Sequence, residues 1–95
     1  MYYIEKNELL LIDPKRFGLS PRTTIGQLSQ DHLVIIKDRK SRIIMKDGRQ
    51  ILDQIDTIKS HAPEAEINLA TNVPVYGKTT KFLNEKGIRI YSLEK

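Results

Sequence analysis

The sequence predicts one small α/β domain, and three observations carry that expectation. Ninety-five residues suit a single unit with one modest core. Between residues 32 and 92, short β-branched runs alternate with stretches whose apolar residues recur at helical spacing. The resulting order is strand, strand, helix, strand, helix, strand, a β-hairpin followed by a β-α-β-α-β type of arrangement. Right-handed crossovers over a sheet produce such an order. Residues 1–31 precede this unit as an N-terminal strand pair and a loop. No linker, repeat or low-complexity segment interrupts the chain, so 1–95 is expected to be one domain.

The start, Tyr2-Tyr3-Ile4, then Glu5-Lys6-Asn7, then residues 8–12, reads as two short strands around a polar turn. Asp13-Pro14 stops the second strand, because proline lacks a donor and restricts the residue before it. Ser20-Pro21 suits an N-cap and first helical position, which would open a short helix over 21–28. The β-branched run Thr23-Thr24-Ile25 argues for extended chain there instead. Leu33-Val34-Ile35-Ile36 has the composition of a strand buried on both faces. Asp38-Arg39-Lys40-Ser41 is turn-like, and Ile43-Ile44-Met45 resumes the apolar pattern. The simplest expectation is an antiparallel hairpin of 33–36 with 43–45, carrying a basic tip.

Asp47, with Gln50 three residues on, resembles a capping box ahead of a helix. Ile51, Leu52, Ile55 and Ile58 then mark one helical face, and His61-Ala62-Pro63 ends it. Ile67 and Leu69 alternate with polar neighbours in a strand over 66–71. A second helix is expected over 76–86, with Gly87 as its left-handed C-cap. Ile88-Arg89-Ile90-Tyr91 forms the last strand.

Composition excludes several classes of protein. At 39% hydrophobic and 29% charged residues the chain is globular material, not a disordered tail. It has no cysteine, so disulfides, thiolate nucleophiles and cysteine zinc sites are absent together. Its longest apolar runs have four residues, far below the roughly 20 that span a bilayer. A cytoplasmic protein without a membrane partner is the expectation. The net charge of +4 lies entirely in residues 32–49, where six bases face two acids. Residues 1–31 and 50–95 are each balanced. A local excess of this kind attracts an anion, most plausibly a phosphate backbone.

Each candidate site has a plain structural alternative. Asn72-Val73-Pro74-Val75-Tyr76-Gly77-Lys78-Thr79-Thr80 lies where a phosphate-binding loop would, but Asn72 stands where that motif requires glycine. A simple helix start accounts for it. His32 and His61 have no partner ligands at metal-binding spacing. Asp53 and Asp56 fit a solvated helix face. Tyr2, Tyr3 and Tyr91 suit base stacking or sheet packing. The basic segment either discourages edge-to-edge strand pairing or binds phosphate. Three features favour binding. Three of its bases are arginines, whose forked donors suit phosphate; four bases fall within six residues; and a helix begins beside them.

From Leu33 onward the layout resembles the C-terminal half of the PD-(D/E)XK nuclease superfamily, including its Holliday-junction resolvase and archaeal mismatch-endonuclease branches. The matching pieces are Leu33-Val34-Ile35-Ile36-Lys37, then residues 50–59, 66–71, 76–86 and 88–91. Phe82-Leu83-Asn84-Glu85-Lys86-Gly87-Ile88-Arg89-Ile90 is similar to that superfamily's final helix and strand. The resemblance implies a carboxylate two residues before a strand lysine, binding Mg²⁺ with an upstream aspartate so that the metal activates water. Lys37 fits the lysine, but Ile35 occupies the carboxylate position, and isoleucine cannot hold a hard cation. A shifted register offers Asp38-Arg39-Lys40, with Asp31 or Asp13 as second ligand.

The expectation is therefore a nuclease-like scaffold that binds DNA or RNA without catalysis or cofactor. Lys37, Arg39, Lys40, Arg42 and Lys46 would contact phosphates, and Arg49 beside the helix start would hold another. The alternatives are an adaptor or homodimeric subunit docking on an acidic partner, and a Mg²⁺-dependent nuclease using Asp38, Lys40 and Asp31.

Overall fold

A computed structural model describes residues 2–5 and 8–94. Its six strands form one mixed sheet: β1 (Tyr2–Glu5), β2 (Leu10–Ile12), β3 (Ile25–Ser29), β4 (His32–Lys37), β5 (Glu66–Thr71) and β6 (Ile90–Glu94). Helix α1 (Met45–His61) links β4 to β5, and α2 (Gly77–Glu85) links β5 to β6. The spatial order is β1-β6-β5-β4-β3-β2. Strands β4, β5, β6 and β1 are parallel, whereas β3 and β2 add antiparallel. The expected α/β fold class therefore holds.

Both helices pack on one face, because each crossover advances the sheet in the same direction. There Ile51, Ile55 and Ile58 of α1 and Leu83 of α2 join Ile25, Leu33, Ile35, Ile67 and Leu69 in the main core. Strand alternation sends Val34, Ile36 and Ala70 to the other face, where they meet Ile4, Tyr91 and Leu93. Leu9 and Leu28 pack against that second cluster. Since β4 is buried on both faces, its continuous apolar run is what the sequence should show there.

Several local expectations are corrected. The hairpin partner of β4 is β3, paired Ile25↔Ile35 and Gln27↔Leu33, not residues 43–45. Ile43 makes a single parallel bridge to Val75. Residues 38–44 thus form a crossover loop rather than a hairpin tip. No helix occupies 21–28: residues 21 and 22 form a turn and extended β3 begins at Ile25, the last residue of the β-branched run, while a 3-10 turn at Pro14–Phe17 lies upstream. The two N-terminal strands sit at opposite edges of the sheet. The expected turn at Lys6 and Asn7 lies outside the described residues.

Helix α1 starts at Met45, so Asp47 is its third residue rather than its cap. From there its carboxylate accepts the Ile44 N–H at 2.9 Å, which supplies half of a capping box from within the helix. The C-terminus of α2 ends as expected. Gly87 adopts φ +77°, its N–H donates to the Asn84 carbonyl, and the Ile88 N–H donates to that of Leu83. This is a Schellman motif, closed by the buried Leu83 and Ile88 side chains.

Candidate nucleic-acid interface

The C-terminal ends of β4 and β5 release two neighbouring loops, residues 38–44 and 72–76, each running into a helix. In open α/β sheets this end is where ligands bind. The basic segment emerges at the same place.

Arg39 organises it from within. Its backbone N–H donates to Asn72 Oδ1 at 3.0 Å, joining the two loops. Its guanidinium donates to the Ser41 and Arg42 carbonyls and grips Asp47 through two contacts, the shorter 2.6 Å. A bidentate arginine–carboxylate pair is a geometrically strict contact, and here it fastens the loop to the first turn of α1. The Arg39 hydrogen bonds hold the Asp47 carboxyl below the usual carboxylate range, with the Ile44 N–H helping. Thr71 Oγ1 donates to the Lys37 carbonyl at 2.8 Å and ties β4 to β5 at the same end.

Lys37 is half-buried. By alternation it falls on the helix-packed side with Leu33 and Ile35. Continuing the β3–β4 register, which the Ile36 N–H to Thr24 carbonyl bond extends, sets Thr23 opposite it. Desolvation, then repulsion from Arg39, pushes the Lys37 ammonium below its ordinary value, against a smaller opposing pull from Asp47. Lys40, Arg42, Lys46 and Arg49 are exposed. The six sequence-picked bases thus divide: Arg39 is committed to the loop, Lys37 is half sunk, and four present their charge to solvent.

The arrangement required of a Mg²⁺ site is not assembled. Ile35 is fully buried in the core, two residues before Lys37. Asp31 sits in the β3–β4 turn, at the other end of six-residue β4 from Asp38, roughly 20 Å away at strand rise. Asp13 caps the 3-10 turn by accepting the Lys15 N–H. Among the described residues no group of three or more His, Cys, Asp or Glu side chains could hold a metal ion. A groove of ≈520 Å³ does run beside the segment, but Arg22, Lys37 and Arg39 line it with Asp38, Leu9 and Leu11. It is basic and apolar rather than acidic.

The other candidates settle into structural roles. Residues 72 and 73 bend, and 74–76 then run alongside Ile43: the Ile43 N–H donates to the Pro74 carbonyl and the Tyr76 N–H to the Ile43 carbonyl. The Tyr76 N–H is thereby used within the chain, as is the Val73 N–H, which donates to Thr71 Oγ1, rather than being aimed at an anion. His32 meets Asn68 and packs edge-on against Tyr91, which is buried. His61 packs edge-on against Phe17 and bonds within its own helix. Asp53 and Asp56 are exposed on α1. The side chains of Tyr2 and Tyr3 lie outside the described residues.

Two features escaped the sequence. The Arg39–Asp47 pair is eight residues apart across a loop, with no periodicity to announce it. Ile44 and Tyr76 emerge side by side and exposed. Their signal was a large apolar residue at a helix start, a position that usually holds a short polar cap.

Comparison with known proteins places the fold. The chain is similar to the EndoMS structure solved in complex with double-stranded DNA, with a TM-score of 0.61 at 15% identity over 75% of this chain. It is also similar to a repair endonuclease from Pyrococcus abyssi, with a TM-score of 0.57 at 14% identity over 76% of this chain. It spans 30% of the length of each. The nuclease-like fold expected from the sequence is thus shared, over about three quarters of this chain, with part of each of these two structures. No family model and no curated protein matches the sequence.

Proposed function

We propose that this domain binds nucleic acid, without cutting it, through the exposed bases at the C-terminal end of its parallel strands. The observation that carries this is the division of labour in the basic segment. Arg39 and Asp47 neutralise one another and brace the loop, while Lys40, Arg42, Lys46 and Arg49 stay exposed on either side of the α1 start. Such bases contact phosphates and position a protein without reading sequence. The likeness to the EndoMS structure solved with double-stranded DNA supports the choice of partner. The absence of catalysis is inferred from Ile35 and from the separation of Asp31 and Asp38.

Four phosphate contacts imply that affinity falls on the order of 100-fold between 50 and 200 mM salt. An electrophoretic shift with DNA and RNA at both salts measures this, and no shift at the lower salt ends the proposal. The same samples incubated with Mg²⁺ or Mn²⁺ should stay uncut. Cleavage lost on Asp38→Ala would establish the nuclease alternative.

One observation favours a protein partner instead. Leu10 and Leu11, on edge strand β2, are 67% and 68% exposed. An apolar edge invites another strand. A dimer seen by light scattering that Leu10→Lys with Leu11→Lys dissolves would support the adaptor reading.

A further inference from the structure

The two helices begin beside each other, and each begins on an exposed apolar side chain. The Ile43–Val75 bridge is parallel, and its hydrogen bonds run from the Ile43 N–H to the Pro74 carbonyl at 3.0 Å and from the Tyr76 N–H to the Ile43 carbonyl at 2.8 Å. That register sets Ile44 opposite Tyr76. Alternation turns Ile43 and Val75 toward the core and turns their successors outward, Ile44 48% and Tyr76 42% exposed. Both are helix N-cap residues without a side-chain cap. Cap preferences run strongly against isoleucine and tyrosine, so capping does not explain them. Neither does the core.

Their surroundings are cationic. Arg42 lies two residues before Ile44, Lys46 two after it, and Lys78 two after Tyr76, all exposed. The first turn of α2 holds no acid, and the acid in the first turn of α1, Asp47, faces Arg39. An aromatic residue opposite an aliphatic one in register, with three exposed cations two residues away along the chain, matches one ligand chemistry well: an unstacked base with a phosphate on each side. Every base has a π-face, so such a platform tolerates any sequence. Two side chains are too small an area to seat a protein, whose stable interfaces need roughly 800 Å² on each partner.

We propose that Tyr76, supported by Ile44, is a stacking platform for an unpaired nucleobase, with Arg42, Lys46 and Lys78 holding the flanking phosphates. The domain then prefers single-stranded or unpaired segments to uninterrupted duplex. This rests on the nucleic-acid-binding proposal above and adds what that proposal lacks, a strand state.

Fluorescence anisotropy at low salt, with a labelled single strand of about 12 nucleotides and the matching duplex, tests it. Wild type, Tyr76→Ala and Tyr76→Phe are compared, with thermal melts to show that all three are folded. The expected result is a loss of roughly tenfold on the single strand for Tyr76→Ala, little change on the duplex, and retention by Tyr76→Phe. Equal losses on both probes, or none on either, would overturn the platform while leaving phosphate binding in place. If wild type bound neither probe, the underlying proposal would fall and the platform with it.

Discussion

The two ends of the parallel strands use polar residues in opposite ways. At the N-terminal end of β5, fully buried Asn68 spends its whole side chain on neighbours. Its Oδ1 accepts the Arg89 N–H at 2.8 Å, and its amide donates to Glu66 Oε2 at 2.7 Å and meets His32 Nε2 at 2.9 Å. That cluster closes on itself. At the C-terminal end, Arg39 and Asp47 also close on each other, yet they lie amid four bases that remain exposed. A satisfied buried network stabilises and specifies a fold. A braced loop that leaves its charges outside keeps them in contact with solvent. The destination of their hydrogen bonds separates these regions.

Disrupting the closed end should have the largest effect on stability and the smallest on binding. Asn68→Ala strands the Arg89 N–H and leaves a void, which should cost about 2–4 kcal/mol. Urea unfolding measures the loss, and the folded fraction should still bind nucleic acid with wild-type affinity. A binding defect there would erase the contrast between the ends.

Between the helices, buried Gly48 allows the close approach that sets their starts side by side. A Cβ at that position would stand 2.8 Å from Thr79 Cγ2. Gly48→Ala should therefore destabilise by about 1–3 kcal/mol despite alanine's better helix propensity. Thr79→Ser, which removes the offending methyl, should restore part of that in the double variant. Additive losses in the double-mutant cycle would contradict the packing argument.

Arg39→Ala should cost about 1–2 kcal/mol, a partly exposed charged contact being discounted for solvent screening. It should also loosen the loop and so lower affinity through the neighbouring bases that the loop holds in place. The pH dependence follows from the depressed Asp47 carboxyl. Its stabilisation is complete above the unfolded value of about 3.9 and drains away as pH falls through the lower folded value. Acid titration of Asp47→Asn should lack that component.

The smallest effect belongs to Lys37. Burial penalises its charge in the folded state, so fewer protons are bound there than in the unfolded chain as pH approaches about 10.4, and stability should rise across that range. Lys37→Met should abolish the rise and leave the protein as stable as wild type or slightly more so. A marked loss of stability would mean that the ammonium has a partner worth more than its desolvation.

Local features of the fold were legible because short-range chemistry decides them. The Gly87 cap, the helical face of Ile51, Ile55 and Ile58, and strand 66–71 all follow from period, caps and chirality within a few residues. The site was half legible. Charge bias located the basic segment, but no local rule separates Arg39, most of whose donors are held by Ser41, Arg42 and Asp47, from Arg42, exposed three residues on. That separation depends on Asp47 and Asn72 arriving from other elements.

By itself, the chain's order of residues determined an α/β unit, its two helices and a cationic stretch beside the first of them. Tertiary structure alone decided that β4 pairs with β3 rather than with Ile43, and that Ile43 instead joins Val75. Strand partners are chosen by burial and register over the whole sheet, where Ile-Gly-Gln-Leu-Ser pairs well with β4 even though its glycine and polar residues make a weak strand in isolation. The same non-local choice turned Ile44 and Tyr76 outward together. Periodicity measures distance along the chain, and neither pairing is near in that measure.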